Sequence, residues 1–458
     1  MCMSWPMAGS PALAARNWRG SWRKKATPSS FPERRRPRTM RLGMEAYQAQ
    51  FADHLPEGGP PWLADLRQAA AARFSSQGLP DRKIEAWRYT NLKPVQAQLF
   101  ALDAASAIEA PPALLTGSHR LVFRNGVLQS DTNDLPNGVR LAGMAQTMSE
   151  SPNSLADHMG QIDAGQDLPL PALNQALSRD GYVLSIDPGV IVDRPTEVLF
   201  LSDAGTCYPR NLVLAGAGSR ATVVEHYLGR GDGDYFVNAV TEVHGAADAN
   251  LRRYKIQQDA VGASHVATLA GQLENDARFE NFDLNLGGQL VRSEIHMALA
   301  GQGAEADLNG VYLLRGKQHC DNAIEMDHVV RTTNSHQDYR GILDDRAHAV
   351  FQGKITVRPD AQGIEGHQLN KTLLLSDGAE IDAKPELQIL ADDVKCSHGA
   401  TAGELDESGL FYLRSRGIPE DVARQLLMTA FIAETLDRIG HDDLRAVMEQ
   451  LVGDWMVA

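Results

Sequence analysis

The residues best suited to chemistry in this 458-residue chain lie in the tract ADDVKCSHGAT, residues 391–401. Cys396 and His398 are two residues apart, so on an extended strand their side chains point to the same face. Thiolate and imidazole groups are suitable ligands for iron or zinc. Two ligands do not close a metal site, so binding would require His or Cys side chains from elsewhere or from a second subunit. On spacing alone, a buried thiol beside a hydrogen-bonded turn histidine is the simpler interpretation.

A second group of polar residues lies in DHVVRTTNSHQDYRG, residues 327–341. Its side chains are of types that often hydrogen-bond to the backbone in turns. We therefore interpret them as hydrogen-bonding turn residues of a stacked β structure: Asp327, His328, Thr333, His336 and Tyr339.

The four cysteines are widely scattered, and no two of them form a CxxC pair. This distribution argues against a disulfide scaffold and against a self-contained zinc or cluster site. Cys207 and Cys320 are most simply small apolar core residues. A reducing, cytoplasmic setting is the expectation.

Nucleotide-binding motifs are missing from the sequence. Gly316-Lys317 and Gly353-Lys354 lack the Gly-rich spacing and the Ser/Thr of a phosphate loop. The segment GAGSRA, residues 216–221, runs into a strand-like segment, whereas a dinucleotide loop should open a helix. The chain is therefore not expected to be an ATPase or a dehydrogenase.

The elements that would position these residues begin with a helical N-terminal region, residues 44–115. Trp62, Leu66 and Ala70 recur there at helical spacing, and Pro111-Pro112 separates this region from the next one.

Residues 116–402 consist of short apolar runs interrupted by Gly, Asp and Asn, such as EVLFLSD and KTLLLSDGAEI. Val223, Glu225 and Tyr227 alternate with their neighbours, which is strand periodicity. A simple β-sandwich does not contain so many short strands. A parallel β-helix buries a long core by stacking its turns, and its core can form with few aromatic residues, which make up 6% of this chain. No clean repeat period is visible, however.

Residues 403–458 are predicted to be helical again, with Pro419 at a first helical position and Gly440 ending that helix. The two helices carry these apolar stripes: Val422, Leu426, Leu427, Ala430 and Phe431 in the first, and Leu444, Val447, Met448, Leu451 and Val452 in the second. The pattern alone favours packing of both stripes on the β body, and a partner-docking surface is the alternative.

Charge is distributed unevenly along the chain. Residues 1–43 contain ten Lys/Arg and one acid, a charge of +9, so the total of −14 leaves −23 on the remainder. This basic leader is expected to be disordered, and it is either an upstream translation artefact with the start at Met40 or Met44, an organelle transit peptide, or a nucleic-acid-binding arm. The acidic body would repel phosphates, which disfavours nucleic acid. No run of about 18 apolar residues predicts a membrane span.

Several motifs, in matching order, resemble the SufB/SufD family of iron–sulfur cluster assembly scaffold proteins. They are EAWRYTNL (85–92), HVVRTTNSHQDYRGIL (328–343), AVFQGKITV (349–357) and the long run 369–427. The resemblance covers residues 44–458 or so. The SufB branch would show Val-Glu-His-Glu-Ala where this chain has Cys-Ser-His-Gly-Ala, so the chain is similar to the other branch.

The resemblance implies a mainly β fold, with a right-handed parallel β-helix core (116–402) between the N-terminal helical region (44–115) and the C-terminal helical region (403–458). It also implies a complex in which the chain forms a heterodimer with SufB through the β-helix and its C-terminal helices dock the ABC-type ATPase SufC. ATP hydrolysis would then belong to SufC, and this chain would be a scaffold subunit with no catalytic residue of its own.

For the site, the resemblance implies that His398 lies at the interface with SufB and is needed for cluster assembly, as a ligand or a proton-handling residue. Cys396 is its neighbour in the same motif, and the transient iron–sulfur cluster would be shared with SufB. The family complex is also associated with reduced flavin (FAD), but no flavin-binding residue maps onto this chain. The isolated chain could be a monomer or a homodimer. The compartment is cytoplasmic, or an organelle stroma if the leader is a transit peptide.

A stand-alone carbohydrate-active β-helix enzyme is the alternative. It would use paired acids such as Asp344-Asp345 or Asp392-Asp393. Neighbouring carboxylates in such turns usually cap and solvate the turn, which disfavours this interpretation.

Overall fold

The structure is a computed structural model that describes residues 44–56, 59–96, 100–102, 108–131, 134–161, 168–231 and 233–457. The basic leader predicted over residues 1–43 lies outside these residues. Within them the chain is mainly β, and the predicted β-helix flanked by helical regions is confirmed as a β-solenoid of about eight turns.

The described residues form twenty strands. In chain order they are β1 (His119–Arg124), β2 (Val127–Ser130), β3 (Val139–Gly143), β4 (Tyr182–Ile186), β5 (Thr196–Ser202), β6 (Thr206–Cys207), β7 (Arg210–Ala215), β8 (Arg220–Gly229), β9 (Phe236–Gly245), β10 (Asn250–Gln258), β11 (Ser264–Leu273), β12 (Arg278–Asn285), β13 (Leu290–Leu299), β14 (Glu305–Leu314), β15 (His319–His328), β16 (Asn334–Leu343), β17 (His348–Val357), β18 (Ile364–Leu374), β19 (Glu380–Ile389) and β20 (Val394–Gly403).

Eight α-helices accompany the strands within the same residues, and most lie near the two ends of the chain. They are α1 (Met44–His54), α2 (Pro61–Gln77), α3 (Lys93–Gln96), α4 (Met144–Glu150), α5 (Pro169–Leu177), α6 (Glu407–Ser415), α7 (Glu420–Leu436) and α8 (Asp442–Val457). None of these helices combines the length and the apolar character that a bilayer crossing requires.

The strands form two long sheets that face each other across the solenoid. The first has the order β2-β1-β5-β8-β10-β12-β14-β16-β18-β20, and the second β19-β17-β15-β13-β11-β9-β7-β4-β3. Pairing is parallel in the solenoid and antiparallel only for β1 with β2 and β3 with β4. Arg278, Glu305 and Asn334 occupy equivalent positions, 27 and 29 residues apart. One turn of the solenoid therefore takes roughly 30 residues. Equivalent positions recur at this spacing although the amino-acid sequence does not repeat.

Alternation along each strand places one set of side chains inside the solenoid. On β8 the inward set includes Val223 and Tyr227, which join the same buried cluster as Leu251 of β10 and Leu308 of β14. Because parallel strands stack these positions in register, successive turns bury one continuous apolar core between the two sheets.

Helices cover the outer faces of both sheets. The N-terminal helices α1, α2 and α5 share a buried cluster with Phe236 and Val266 of the second sheet. The C-terminal helices α7 and α8 share another with Tyr254, Phe282 and Val311 of the first sheet.

The face by which α7 packs differs from the predicted stripe. Val422 and Leu426 are exposed. The buried positions are Ala423, Met428, Ile432, Thr435 and Leu436. Contacts with the β strands set the orientation of α7. The predicted apolar stripe is therefore partly exposed to solvent. Pro419 is the N-cap residue rather than the first helical residue, and α7 ends before Gly440. The α8 stripe packs as predicted, with Leu444, Met448 and Val452 buried.

Candidate functional site

Cys396 and His398 lie on β20, the last strand of the first sheet. Cys396 is in register with Gly366 and His398 with Gln368 of the neighbouring strand β18. Cys396 packs against the interior core cluster, so strand alternation puts His398 on the inward set as well. The expectation that both side chains share a face is therefore confirmed.

Their surroundings make the thiol and the imidazole unequal. Cys396 is half-buried, and burial raises the pKa of its thiol. A Cβ on Gly366 would lie 3.3 Å from the Cys396 sulfur, so glycine leaves the thiol its space. His398 is exposed. Spacing alone favoured a buried thiol beside a histidine in a turn. The structure differs, because both residues lie within the edge strand β20, where the thiol is half-buried and the histidine is exposed.

A complete metal site does not form around this pair in the described part of the chain. No third His, Cys, Asp or Glu there joins Cys396 and His398 in a cluster able to hold an ion. Further ligands, if the pair binds metal, must come from a covering molecule.

His398 continues a ladder of inward polar side chains. Gln337 on β16 and Gln368 on β18 stand in register with it, and the Gln368 amide donates a hydrogen bond of 2.7 Å to the Gln337 carbonyl oxygen. Polar side chains therefore lead from inside the solenoid to the exposed end.

Charged residues lie deep inside the solenoid, and sequence reasoning did not predict this. Glu225 and Arg253 are joined by a 2.6 Å contact between Arg253 Nη2 and Glu225 Oε2. Arg253 Nη1 lies 3.3 Å from Asp283, whose second oxygen lies 3.3 Å from the Lys255 ammonium. The sequence did contain an indication of these buried charges. Val223, Glu225 and Tyr227 alternate along one strand, so Glu225 must lie on the same face as the two core residues.

The second polar group, residues 327–341, does not lie wholly in turns. His336 and Tyr339 are inside strand β16, and Tyr339 is buried in the core, so their predicted placement in a turn is wrong. Asp327 and His328 end strand β15.

Only part of this group makes the predicted turn hydrogen bonds. His328 Nδ1 lies 2.7 Å from the Thr333 hydroxyl, beside the turn, and His328 Nε2 lies 2.9 Å from Ser335. Asp327 instead forms an ion pair with Arg358.

Cys207 and Cys320 are buried core residues, as predicted. Burial raises the pKa of each thiol to about 12, so both are protonated and unreactive at neutral pH.

The paired acidic residues make hydrogen bonds in turns of the solenoid. Asp344 accepts a hydrogen bond of 2.8 Å from the Asp345 N–H, and Asp345, at a φ of 56°, accepts one of 2.9 Å from the Gly316 N–H. The Asp393 N–H donates to Gln362 in the neighbouring turn of the solenoid. These contacts stabilise the solenoid corners, and they give no support to the carbohydrate-active alternative.

An exposed apolar surface lies on the C-terminal helices. Phe411 and Tyr412 of α6 are 75% and 56% exposed, and no residue of α6 is buried. Val422 and Leu426 of α7, the helix that follows and contacts α6, are exposed as well. Large apolar side chains left together in water commonly mark a protein interface.

Comparisons with known proteins agree over most of the chain. The model of the SUF system FeS cluster assembly SufBD core domain matches residues 199–431, and that of the SufBD protein N-terminal region matches 44–111 and 116–198. An iron–sulfur cluster assembly SufBD family protein of Synechocystis is 33% identical, over 85% of this chain and 90% of that protein. The iron–sulfur cluster assembly protein SufD of Escherichia coli is 30% identical, over 82% and 89%. Protein ABCI7, chloroplastic, of Arabidopsis thaliana is 28% identical, over 84% of each.

The fold and site define a class: a β-solenoid protein with helices on both outer faces and a cysteine–histidine motif on an uncovered edge strand. Within that class, the chain belongs to the SufBD family of SUF-system iron–sulfur cluster assembly proteins. The resemblance carried by the sequence motifs is thereby confirmed.

Proposed function

We propose that this chain is a SufD-type scaffold subunit that pairs with SufB along its open solenoid end and helps to hold a nascent iron–sulfur cluster there. One observation carries the proposal: Cys396 and His398 lie on inward positions of the strand at which the first sheet ends. A partner that continues the solenoid would cover both side chains and supply the missing ligands.

The open end has the properties of an interface. β19 and β20 end the two sheets, and no described strand pairs with their outer edges. Core-facing Ile381, Leu387 and Val394 are only partly buried, and Leu390 is 53% exposed. Unpaired backbone groups beside an uncovered apolar core favour the addition of another β structure. SufB is the proposed occupant, and a second copy of this chain is the alternative when the chain is isolated.

The exposed apolar surface on α6 and α7 is the proposed docking site for SufC. Phe411 is 75% exposed although α6 lies next to α7, so its ring is free to enter a partner's groove. We assign ATP hydrolysis to SufC, since the sequence of this chain has no phosphate loop, and we propose that the chain acts as a scaffold subunit.

Two further parts of the sequence prediction stay predictions. Reduced flavin (FAD) is expected to be associated with the complex, and no residue of this chain is assigned to it. The compartment is the cytoplasm, or an organelle stroma if the leader is a transit peptide; the Arabidopsis relative is named as chloroplastic.

The test is reconstitution with SufB and SufC, comparing the wild-type chain with His398→Ala and with His367→Ala. His367 is the matched control, because it is also an exposed strand histidine, on β18, and hydrogen-bonds to Ser397. We expect His398→Ala to lose most cluster absorbance in the visible range while the complex still elutes as one species, and His367→Ala to behave as wild type. Unchanged cluster yield with His398→Ala would refute the role of His398. Failure of the three wild-type subunits to co-elute would refute the complex.

A further inference from the structure

Two imidazole rings face each other on the outer side of the second sheet. His319 begins β15, His348 begins β17 and Glu380 begins β19, and the three residues are paired in register on adjacent strands. The Nδ1 atoms of His319 and His348 are 3.1 Å apart. Register alone brings these residues together, since 29 and 32 residues separate them in sequence.

Hydrogen bonds to the other ring nitrogens orient both histidines. The Thr90 hydroxyl donates to the Asp321 carboxylate, so its oxygen accepts the 2.9 Å hydrogen bond from His319 Nε2–H. His348 Nε2 lies 2.9 Å from Asp382 Oδ2, where a carboxylate accepts and the ring nitrogen donates. In neutral rings, the protons on Nε2 leave both Nδ1 lone pairs free, on nitrogens only 3.1 Å apart.

Facing lone pairs repel unless something positive lies between them. Two nitrogens bound to one ion at ~2.0–2.1 Å are about 3.3 Å apart at the tetrahedral angle, close to the observed separation. A histidine whose second nitrogen is held by a carboxylate is the usual arrangement of a metal ligand.

Two carboxylates lie beside the His348 ring. Oxygen atoms of Glu380 and Asp382 lie within 4.8 Å of a His348 ring nitrogen and of each other. Asp382 and His348 are about one-third exposed, so an ion can reach the cluster from solvent.

We propose that the Nδ1 atoms of His319 and His348 bind a divalent transition metal of the Zn²⁺ or Fe²⁺ class, with the Glu380 carboxylate beside His348 as a third ligand and with Asp382 and Thr90 orienting the rings. Two nitrogens and one oxygen suit these borderline cations and not Ca²⁺ or Mg²⁺, which prefer oxygen ligands only. The site lies on the second sheet, whereas Cys396 and His398 lie on the first. It uses none of the residues of the cluster-assembly proposal, although Glu380 and Asp382 lie on β19, which ends the second sheet at the open end of the solenoid.

Zn²⁺ titration of the full chain by calorimetry, against a competing chelator, tests the site. The chain would carry Cys396→Ser and His398→Ala, so that the edge-strand motif contributes no ligands. We expect one Zn²⁺ per chain, with binding weakened by more than about 100-fold in His348→Ala and about 10–100-fold in Asp382→Asn. Addition of Co²⁺ should give visible d–d bands that His348→Ala abolishes.

His296→Ala is the matched control, because His296 lies on the same sheet with its Nδ1 3.5 Å from the Glu325 carboxylate and has no second histidine facing it among the described residues. Its Zn²⁺ affinity should equal that of the parent. Thermal unfolding without metal checks that each variant folds, and Zn²⁺ should raise the midpoint only where the site is intact. If His348→Ala does not fold, the exposed Glu380→Gln variant decides, with weaker Zn²⁺ binding expected. No Zn²⁺ binding by the parent, or equal affinity in the ligand variants, overturns the proposal.

Discussion

Replacing Arg253 by Met should be among the most destabilising single changes in the solenoid. Arg253 is 5% exposed and contacts Glu225, which is fully buried, through two nitrogens at 2.6 and 3.1 Å. Asp283 would keep its contact with Lys255, but Glu225 would lose its only cation among the ion pairs that the structure describes. Removal of one partner of a buried ion pair costs about 3–5 kcal/mol, because the other charge stays desolvated.

The matched control is Arg278→Met. Arg278 pairs with Glu305 at 3.4 Å on adjacent strands of the same sheet, but the two side chains are 63% and 42% exposed. Water and salt screen such a pair, so its loss should change the free energy of unfolding by no more than about 1 kcal/mol.

The cost of Arg253→Met should depend on pH in a definite direction. Burial alone would raise the pKa of the Glu225 carboxyl, but the charge and hydrogen bonds of Arg253 hold it below its usual range. In the wild type this pair stabilises the fold above the unfolded-state pKa of about 4.3, and the stabilisation is lost as the pH falls. In the variant the folded-state pKa of Glu225 lies above the unfolded value, so stability is lost as the pH rises. The difference between the two proteins should therefore widen from about pH 5 to about pH 8.

Urea unfolding followed by circular dichroism at both pH values measures the effect. Glu225→Gln combined with Arg253→Met removes both charges, so this double variant should recover much of the lost stability. A cost for Arg253→Met no larger than that for Arg278→Met, or a cost that does not change with pH, would refute the reasoning.

Two further predictions concern packing. Gly341→Ala should lower the free energy of unfolding by about 1–3 kcal/mol or more, because the added Cβ would lie 2.0 Å from Tyr312 Cε2. Gly453→Ala on α8, where the added Cβ meets open space, is the control and should be neutral or slightly stabilising. Urea unfolding midpoints compare the two variants. Ile432→Ala should cost about 2–5 kcal/mol in thermal or urea unfolding, because this fully buried side chain anchors α7 to the first sheet, and a cost below about 1 kcal/mol would contradict that packing.

The sequence by itself determined the class of fold and the family. Short strands with period-two alternation over residues 116–402 indicated a stacked β structure, because alternation is a local consequence of strand geometry. The motif around Cys396 and His398 was also visible directly, since both residues lie on one strand two positions apart. A single strand carries all the information needed to place that pair on one face.

Only the tertiary structure decided which residues of different strands lie side by side, because this depends on the register between strands about 30 residues apart. The facing of His319 and His348, and the burial of Arg253 against Glu225, arise because parallel strands stack residues of successive turns at equal heights. No short-range pattern encodes which residue lies at which height, because corner lengths vary from turn to turn. The packing face of α7 was likewise set by the sheet beneath it, so Ile432 became buried while Leu426 stayed in solvent.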